Sequence, residues 1–84
     1  MRIKVRYFAQ LRERLGRDAE EIAWEGAPPT VAGLRALLAE RTPAAAGVLV
    51  GGALLVAVNR EYAAADAALK DGDEVALFPP VTGG

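Results

Sequence analysis

Residues 30–43 read TVAGLRALLAERTP, and this stretch decides the fold class. Val31, Leu34, Leu37 and Leu38 fall at i, i+3, i+6 and i+7, a single apolar stripe along a helix. Arg35, Glu40 and Arg41 lie off that stripe or at its edge. Thr30 is placed as an N-cap, where a hydroxyl accepts from a free amide of the first turn. Arg41 in the last turn suits the helix dipole, and Pro43 ends the helix. Thr42 followed by Pro43 also suits the start of a second short helix through PAAAG. A helix with one apolar stripe must bury it, and the flanking segments supply the surface.

On the N-terminal side, RIKVRYF (2–8) alternates cleanly, with Ile3, Val5 and Tyr7 on one face and Arg2, Lys4, Arg6 and Phe8 on the other. Period two with one charged face is the pattern of a half-buried strand. AQLRERLG (9–16) carries Leu11 and Leu15 one helical turn apart and stops at Gly16. AEEIAWE (19–25) alternates again, with Ile22 and Trp24 on one face, and Trp24 is expected in the core. The two strands form a hairpin-like opening with a long connection.

On the C-terminal side, Gly47, Gly51 and Gly52 mark an irregular connection. LLVAVN (54–59) is a third strand with Leu54, Val56 and Val58 on one face, and Asn59-Arg60-Glu61 is a polar turn. YAAADAAL (62–69) is compatible with a helix or with a short edge strand and loop. Asp71-Gly72 signals a tight turn before a last strand over Glu74–Phe78, with Val75 and Leu77 inward. Pro79 and Pro80 cannot continue a central ladder and close the sheet. The order is a two-layer α+β domain, a four- to five-stranded sheet covered on one face by one main helix. The expected organisation is one domain over residues 1–84 with 79–84 as an extended tail. Alternation leaves Arg2, Lys4, Arg6, Phe8, Ala76 and Phe78 on the open sheet face. Phe8 and Phe78 do not suit water. They either finish the core at two strand ends or form a docking patch.

Composition narrows the function by exclusion. Ten basic and eleven acidic residues give a net charge of −1, which argues against nucleic acid as the main partner. No apolar run approaches the roughly 20 residues of a membrane span. The amino terminus alternates charged and apolar residues, unlike a signal peptide, so the expected location is the cytoplasm. There is no Cys, His or Ser, and the hydroxyls are Thr30, Thr42, Thr82, Tyr7 and Tyr62. A nucleophile–base–orienter set cannot be built from the usual side chains, and no metal site is expected. DGDE (71–74) lacks the spaced ligands of a calcium loop, and GVLVGG (47–52) lacks the Lys-Ser/Thr of a phosphate loop. Adjacent Glu20 and Glu21 face opposite sides of a strand and read as a solvated edge.

The tail is what remains. The sequence closes on LFPPVTGG (77–84). The prolines stiffen the exit from the sheet, and the segment from Pro79 to Gly84 reaches at most about 20 Å. Gly83 and Gly84 lack a Cβ, so the tip fits a channel too narrow for other residues. Its reactive group is an α-carboxylate, ionised at neutral pH and a poor electrophile until activated as an acyl-adenylate. The alternative is an ordinary frayed terminus.

IKVRYFAQLRERLG, VAVN and LKDGDEVALFPPVTGG together resemble the MoaD family, the small subunits of molybdopterin synthase, within the ubiquitin-like β-grasp sulfur carriers. With the helix between them these stretches cover nearly the whole chain; TPAAAGVLVGGALL lies where that family varies. The resemblance implies a β-grasp fold with a mixed sheet. It implies that Gly84 is the reactive residue, that Gly83 and Thr82 enter the partner's site behind it, and that Phe8 and Phe78 dock the partner. An E1-like enzyme would adenylate Gly84 with Mg-ATP, and a sulfur source would convert it to a thiocarboxylate; no cofactor would be bound permanently. The large synthase subunit would receive the tail in a heterotetramer of two small and two large subunits and supply the acid–base groups. Sulfur would pass to cyclic pyranopterin monophosphate in molybdenum cofactor biosynthesis. Three alternatives stay open: a thiamine-pathway or tRNA-thiolation carrier, a ubiquitin-like modifier joined through Gly84 to lysine, and an interaction module that ignores its tail.

Overall fold

The structure is a computed structural model that describes residues 1–25 and 29–79. Strand β1 (Arg2–Tyr7) leads into helix α1 (Ala9–Leu15), then β2 (Ala19–Ala23) and the main helix α2 (Val31–Arg41). A 3-10 turn (Pro43–Ala45) and helix α3 (Ala46–Leu49) follow, then β3 (Leu55–Val58), β4 (Glu61–Tyr62) and β5 (Glu74–Phe78). The strands form one sheet in the order β2-β1-β5-β3-β4. β1 and β5 run parallel, and the other neighbouring pairs are antiparallel. The expected mixed α+β sheet of four to five strands is therefore present, with five strands.

Alternation built the sheet as read. Ile3, Val5 and Tyr7 of β1, Ile22 of β2, Val56 of β3, and Val75 and Leu77 of β5 are all buried on the helix-facing side. They form one cluster with Val31, Leu34 and Leu38 of α2, Leu11 of α1 and Leu49 of α3. Leu37 and Trp24 are half-buried at its margin rather than inside it. Gly16 caps α1 in the left-handed region at φ 71°, and Gly72 turns the chain into β5 at φ 88°, both conformations that a Cβ disfavours.

The start of α2 shows where the backbone hydrogen bonds of an ambiguous segment go. The Gly33 amide donates to the Thr30 hydroxyl at 3.2 Å, as the N-cap reading requires. The Val31 and Ala32 amides donate to the carbonyls of Ala67 and Ala65 at 3.0 and 2.8 Å. First-turn amides have no partner within their own helix, so the alanine-rich segment supplies it from outside. Of that segment Tyr62 belongs to the edge strand β4, and the rest is a strap, not a helix.

Several local boundaries differ from the sequence reading. Phe8 lies just past β1, with extended backbone at the N-cap of α1. Gly47, read as part of an irregular connection, lies inside α3. The connection after it is held by Arg35, whose Nε donates to the Leu49 carbonyl at 2.7 Å and whose guanidinium also bonds the Gly51 carbonyl. Glu20 is half-buried and accepts from the Tyr7 hydroxyl at 2.6 Å, so one of the two adjacent glutamates is tied to a core residue rather than left in water. Strand register requires this, because Glu20 pairs with Val5 and shares its face. No helix among the described residues is long and apolar enough to cross a membrane.

Candidate functional site

The open face of the sheet follows from register. Arg6 pairs with Ala76, Ala76 with Ala57, and Ala57 with Tyr62, so these four side chains form a row across β1, β5, β3 and β4. Phe78 pairs with Leu55 in the next row, on the same face as the first because side chains two apart share a side. Two alanines in the middle of a row flanked by larger groups make a groove floor. The groove has a volume of about 310 Å³ and is lined by Arg6, Phe8, Ala57, Arg60, Tyr62, Glu74, Ala76 and Phe78.

At the β5 end the rings of Phe8 and Phe78 stack, with centroids 4.6 Å apart and planes within 14°. Both are half-buried. The parallel pairing of β1 with β5 brings them together, since both strands run toward the same end of the sheet. Tyr62 and Leu55 extend the apolar surface and are 77% and 53% exposed. Phe8 and Phe78, singled out by alternation, are therefore brought together by the fold, and Tyr62, Leu55 and Ala57 enlarge the patch they begin. The sequence reading left Tyr62, Leu55 and Ala57 out of the open face, because only the strand order joins them to the phenylalanines.

The charges around the groove divide into paired and unpaired. Lys4 faces Glu74 at 3.9 Å, and Arg2 binds Glu21 at 2.7 Å. The Arg6 guanidinium carbon lies 5.4 Å from the centroid of the Phe8 ring, within cation–π range. Neither Arg6 nor Arg60 forms an ion pair among the described residues. Arg60 follows Asn59 in the two-residue turn between β3 and β4, and both have positive φ, 72° and 50°. A second framework locks this turn to β5. Asn59 Nδ2 donates to Asp73 Oδ1 at 2.9 Å, and the Glu74 amide donates to Asn59 Oδ1 at 3.0 Å.

Among the described residues no group of acidic, His or Cys side chains is arranged to hold a metal ion. β5 ends at Phe78, and Pro79 after it is buried. Thr82, Gly83 and Gly84, the expected tail and reactive residues, lie outside the described residues, as does Pro80. The aromatic pair thus sits at the strand end from which the tail departs.

Comparison with known proteins agrees with this architecture. The molybdopterin synthase sulfur carrier subunit of Escherichia coli (strain K12) is 51% identical over 98% of this chain and 99% of its own length. The crystal structure of SAMP1 from Haloferax volcanii superposes with a TM-score of 0.85 at 32% identity, covering all of both chains. A chain in the protein–protein complex of subunits 1 and 2 of the molybdopterin-converting factor from Helicobacter pylori 26695 matches with a TM-score of 0.66 at 28% identity, again over both full chains. The model of the ThiS family matches residues 5–84, a span that includes both the paired phenylalanines and the terminal Gly83-Gly84, and the chain belongs to that family.

Proposed function

We infer that this chain is the sulfur carrier subunit of a molybdopterin synthase. The observation that carries the reading is its 51% identity, over nearly the full length of both chains, to a molybdopterin synthase sulfur carrier subunit. The open aromatic groove supplies the dock, and the six residues from Pro79 supply the arm. The large synthase subunit is the partner, in keeping with the two-subunit complex in which a structural relative is found.

The chemistry belongs to the terminal carboxylate. An oxygen of the Gly84 carboxylate attacks the α-phosphate of ATP on an E1-like activating enzyme, forming the acyl-adenylate and releasing pyrophosphate. A donor carrying sulfide-level sulfur then displaces AMP, and Gly84 ends as a thiocarboxylate. On the large subunit the sulfur passes to cyclic pyranopterin monophosphate, and water supplies the oxygen that restores the carboxylate. Two such transfers build the dithiolene, consistent with two small subunits on a central pair of large ones. Proton transfer is assigned to the large subunit, in keeping with a chain that has no His.

The likeness to SAMP1, a small archaeal modifier protein, favours a second reading, in which a lysine amine attacks the same adenylate and forms an isopeptide bond. Intact-mass measurement separates the two. Incubation with the activating enzyme, ATP and a sulfur donor should replace one C-terminal oxygen by sulfur, and the charged chain should convert precursor on the large subunit. Absence of that exchange, or appearance of lysine conjugates instead, overturns the carrier reading.

A further inference from the structure

Arg6 and Arg60 stand on the groove that the aromatic pair opens, yet neither has a carboxylate partner among the described residues. Among the described residues that line the groove the acidic one is Glu74, which faces Lys4 on the adjacent strand at 3.9 Å. The Arg6 guanidinium lies over the Phe8 ring while the residue stays exposed, so its charge stands at the solvent edge of the apolar patch. Arg60 is more telling. Its φ of 72° lies in the left-handed region that a Cβ disfavours, and the second position of such a turn favours glycine. A side chain kept at a position that local geometry would give to glycine points to a use for the side chain.

We propose that Arg6 and Arg60 are specificity residues of the docking face, and that the groove takes a segment of the large subunit carrying a carboxylate beside an apolar side chain. The apolar side chain fills the alanine-floored space against Phe78 and Tyr62, and the carboxylate meets the arginines at the rim. The inference rests on the reading of this chain as a synthase subunit. Charge complementarity selects this occupant. A second copy of the chain would bring its own Arg6 and Arg60 to the same face, and like charges across an interface oppose association. Two arginines on a chain of net charge −1 are also too few for a nucleic-acid footprint. Rim charges act mainly on encounter, so they raise the association rate and make it sensitive to salt, while the aromatic pair governs how long the complex lasts.

The test uses Arg60→Gly, Arg6→Gln and the double variant with the intact large subunit, by stopped-flow association between about 0.05 M and about 0.5 M ionic strength. Arg60→Gly relieves the turn, so its melting temperature should hold or rise while its association slows; a folding defect cannot imitate that combination. The double variant is expected to associate about ten-fold or more slowly at low salt and to lose most of the salt dependence. Unchanged rates and an unchanged salt slope overturn this inference while leaving the carrier reading intact. Failure of the unaltered chain to bind the large subunit overturns both. Self-association of the chain alone, abolished by the same substitutions, would assign the groove to a second copy and also overturn the proposal.

Discussion

Asn59 Nδ2 donates to Asp73 Oδ1 at 2.9 Å, joining the turn after β3 to the turn before β5. Asp73 is 7% exposed, and its second oxygen accepts from the Lys70 amide at 2.7 Å. The bond ties one wall of the groove to the strand that carries Phe78. Replacing Asp73 by alanine leaves the Asn59 amide and the Lys70 amide without their partner. A loss of about 1–3 kcal/mol is expected, read by urea unfolding. A double-mutant cycle with Asn59→Ala should show coupling of about 0.5 kcal/mol or more, since the two side chains are in contact.

Phe8 and Phe78 stack but stay half-buried, so truncation affects folding less than it would in the core. Phe78→Ala is expected to cost about 1 kcal/mol of stability, the scale of an aromatic pair. Its effect on affinity for the large subunit should be larger, about ten-fold or more, as for a central interface residue. Calorimetric titration beside thermal melting measures both. A large drop in melting temperature with normal binding would place Phe78 in the core.

Tyr7 gives the fold a dependence on alkali. Burial pushes its phenol above the ordinary value of 10.0, and the bond to Glu20 adds to the shift. The folded state therefore holds this proton more tightly than the unfolded state. Its contribution is complete below about pH 10 and is lost as pH rises above that toward the folded-state value. Tyr7→Phe should flatten the alkaline limb of a stability–pH profile, at a cost of about 1 kcal/mol near neutrality for the lost hydrogen bond.

Arg35 and Gly51 hold the connection between α3 and β3. A Cβ built on Gly51 would lie 2.8 Å from the Gly47 carbonyl oxygen, a backbone atom that cannot swing aside. Gly51→Ala is expected to destabilise by about 1–3 kcal/mol, as overpacking does. Arg35→Met keeps the aliphatic stem but removes the donors to the Leu49 and Gly51 carbonyls, and a similar loss is expected. Hydrogen exchange should quicken in residues 49–54 before the sheet responds.

Much of the fold was legible because its signals are local. Period-two alternation in β1 and β5, the apolar stripe of α2, the Thr30 cap and the turns at Gly16 and Gly72 each depend on a few neighbouring residues. Arg35, by contrast, looked like an edge charge, because its acceptors lie 14 and 16 residues away. Glu20 looked solvated, because only the register of β1 against β2 brings Tyr7 to it. Arg60 looked like an ordinary polar turn residue, although an Asn followed by a residue other than glycine was a readable sign of strain.

By itself the sequence determined the main helix, the inward faces of β1 and β5, the lack of Ser, Cys and His, and the Gly83-Gly84 pair on which the sulfur-carrier reading depends. Side-chain alternation and composition are properties of the chain read in order. Only the tertiary structure decided that β1 and β5 lie side by side and parallel, which stacks Phe8 on Phe78 and lines up Arg6, Ala76, Ala57 and Tyr62 as a groove. Strand order is set by how the whole core packs, through contacts between residues far apart in sequence, and no local pattern carries that information.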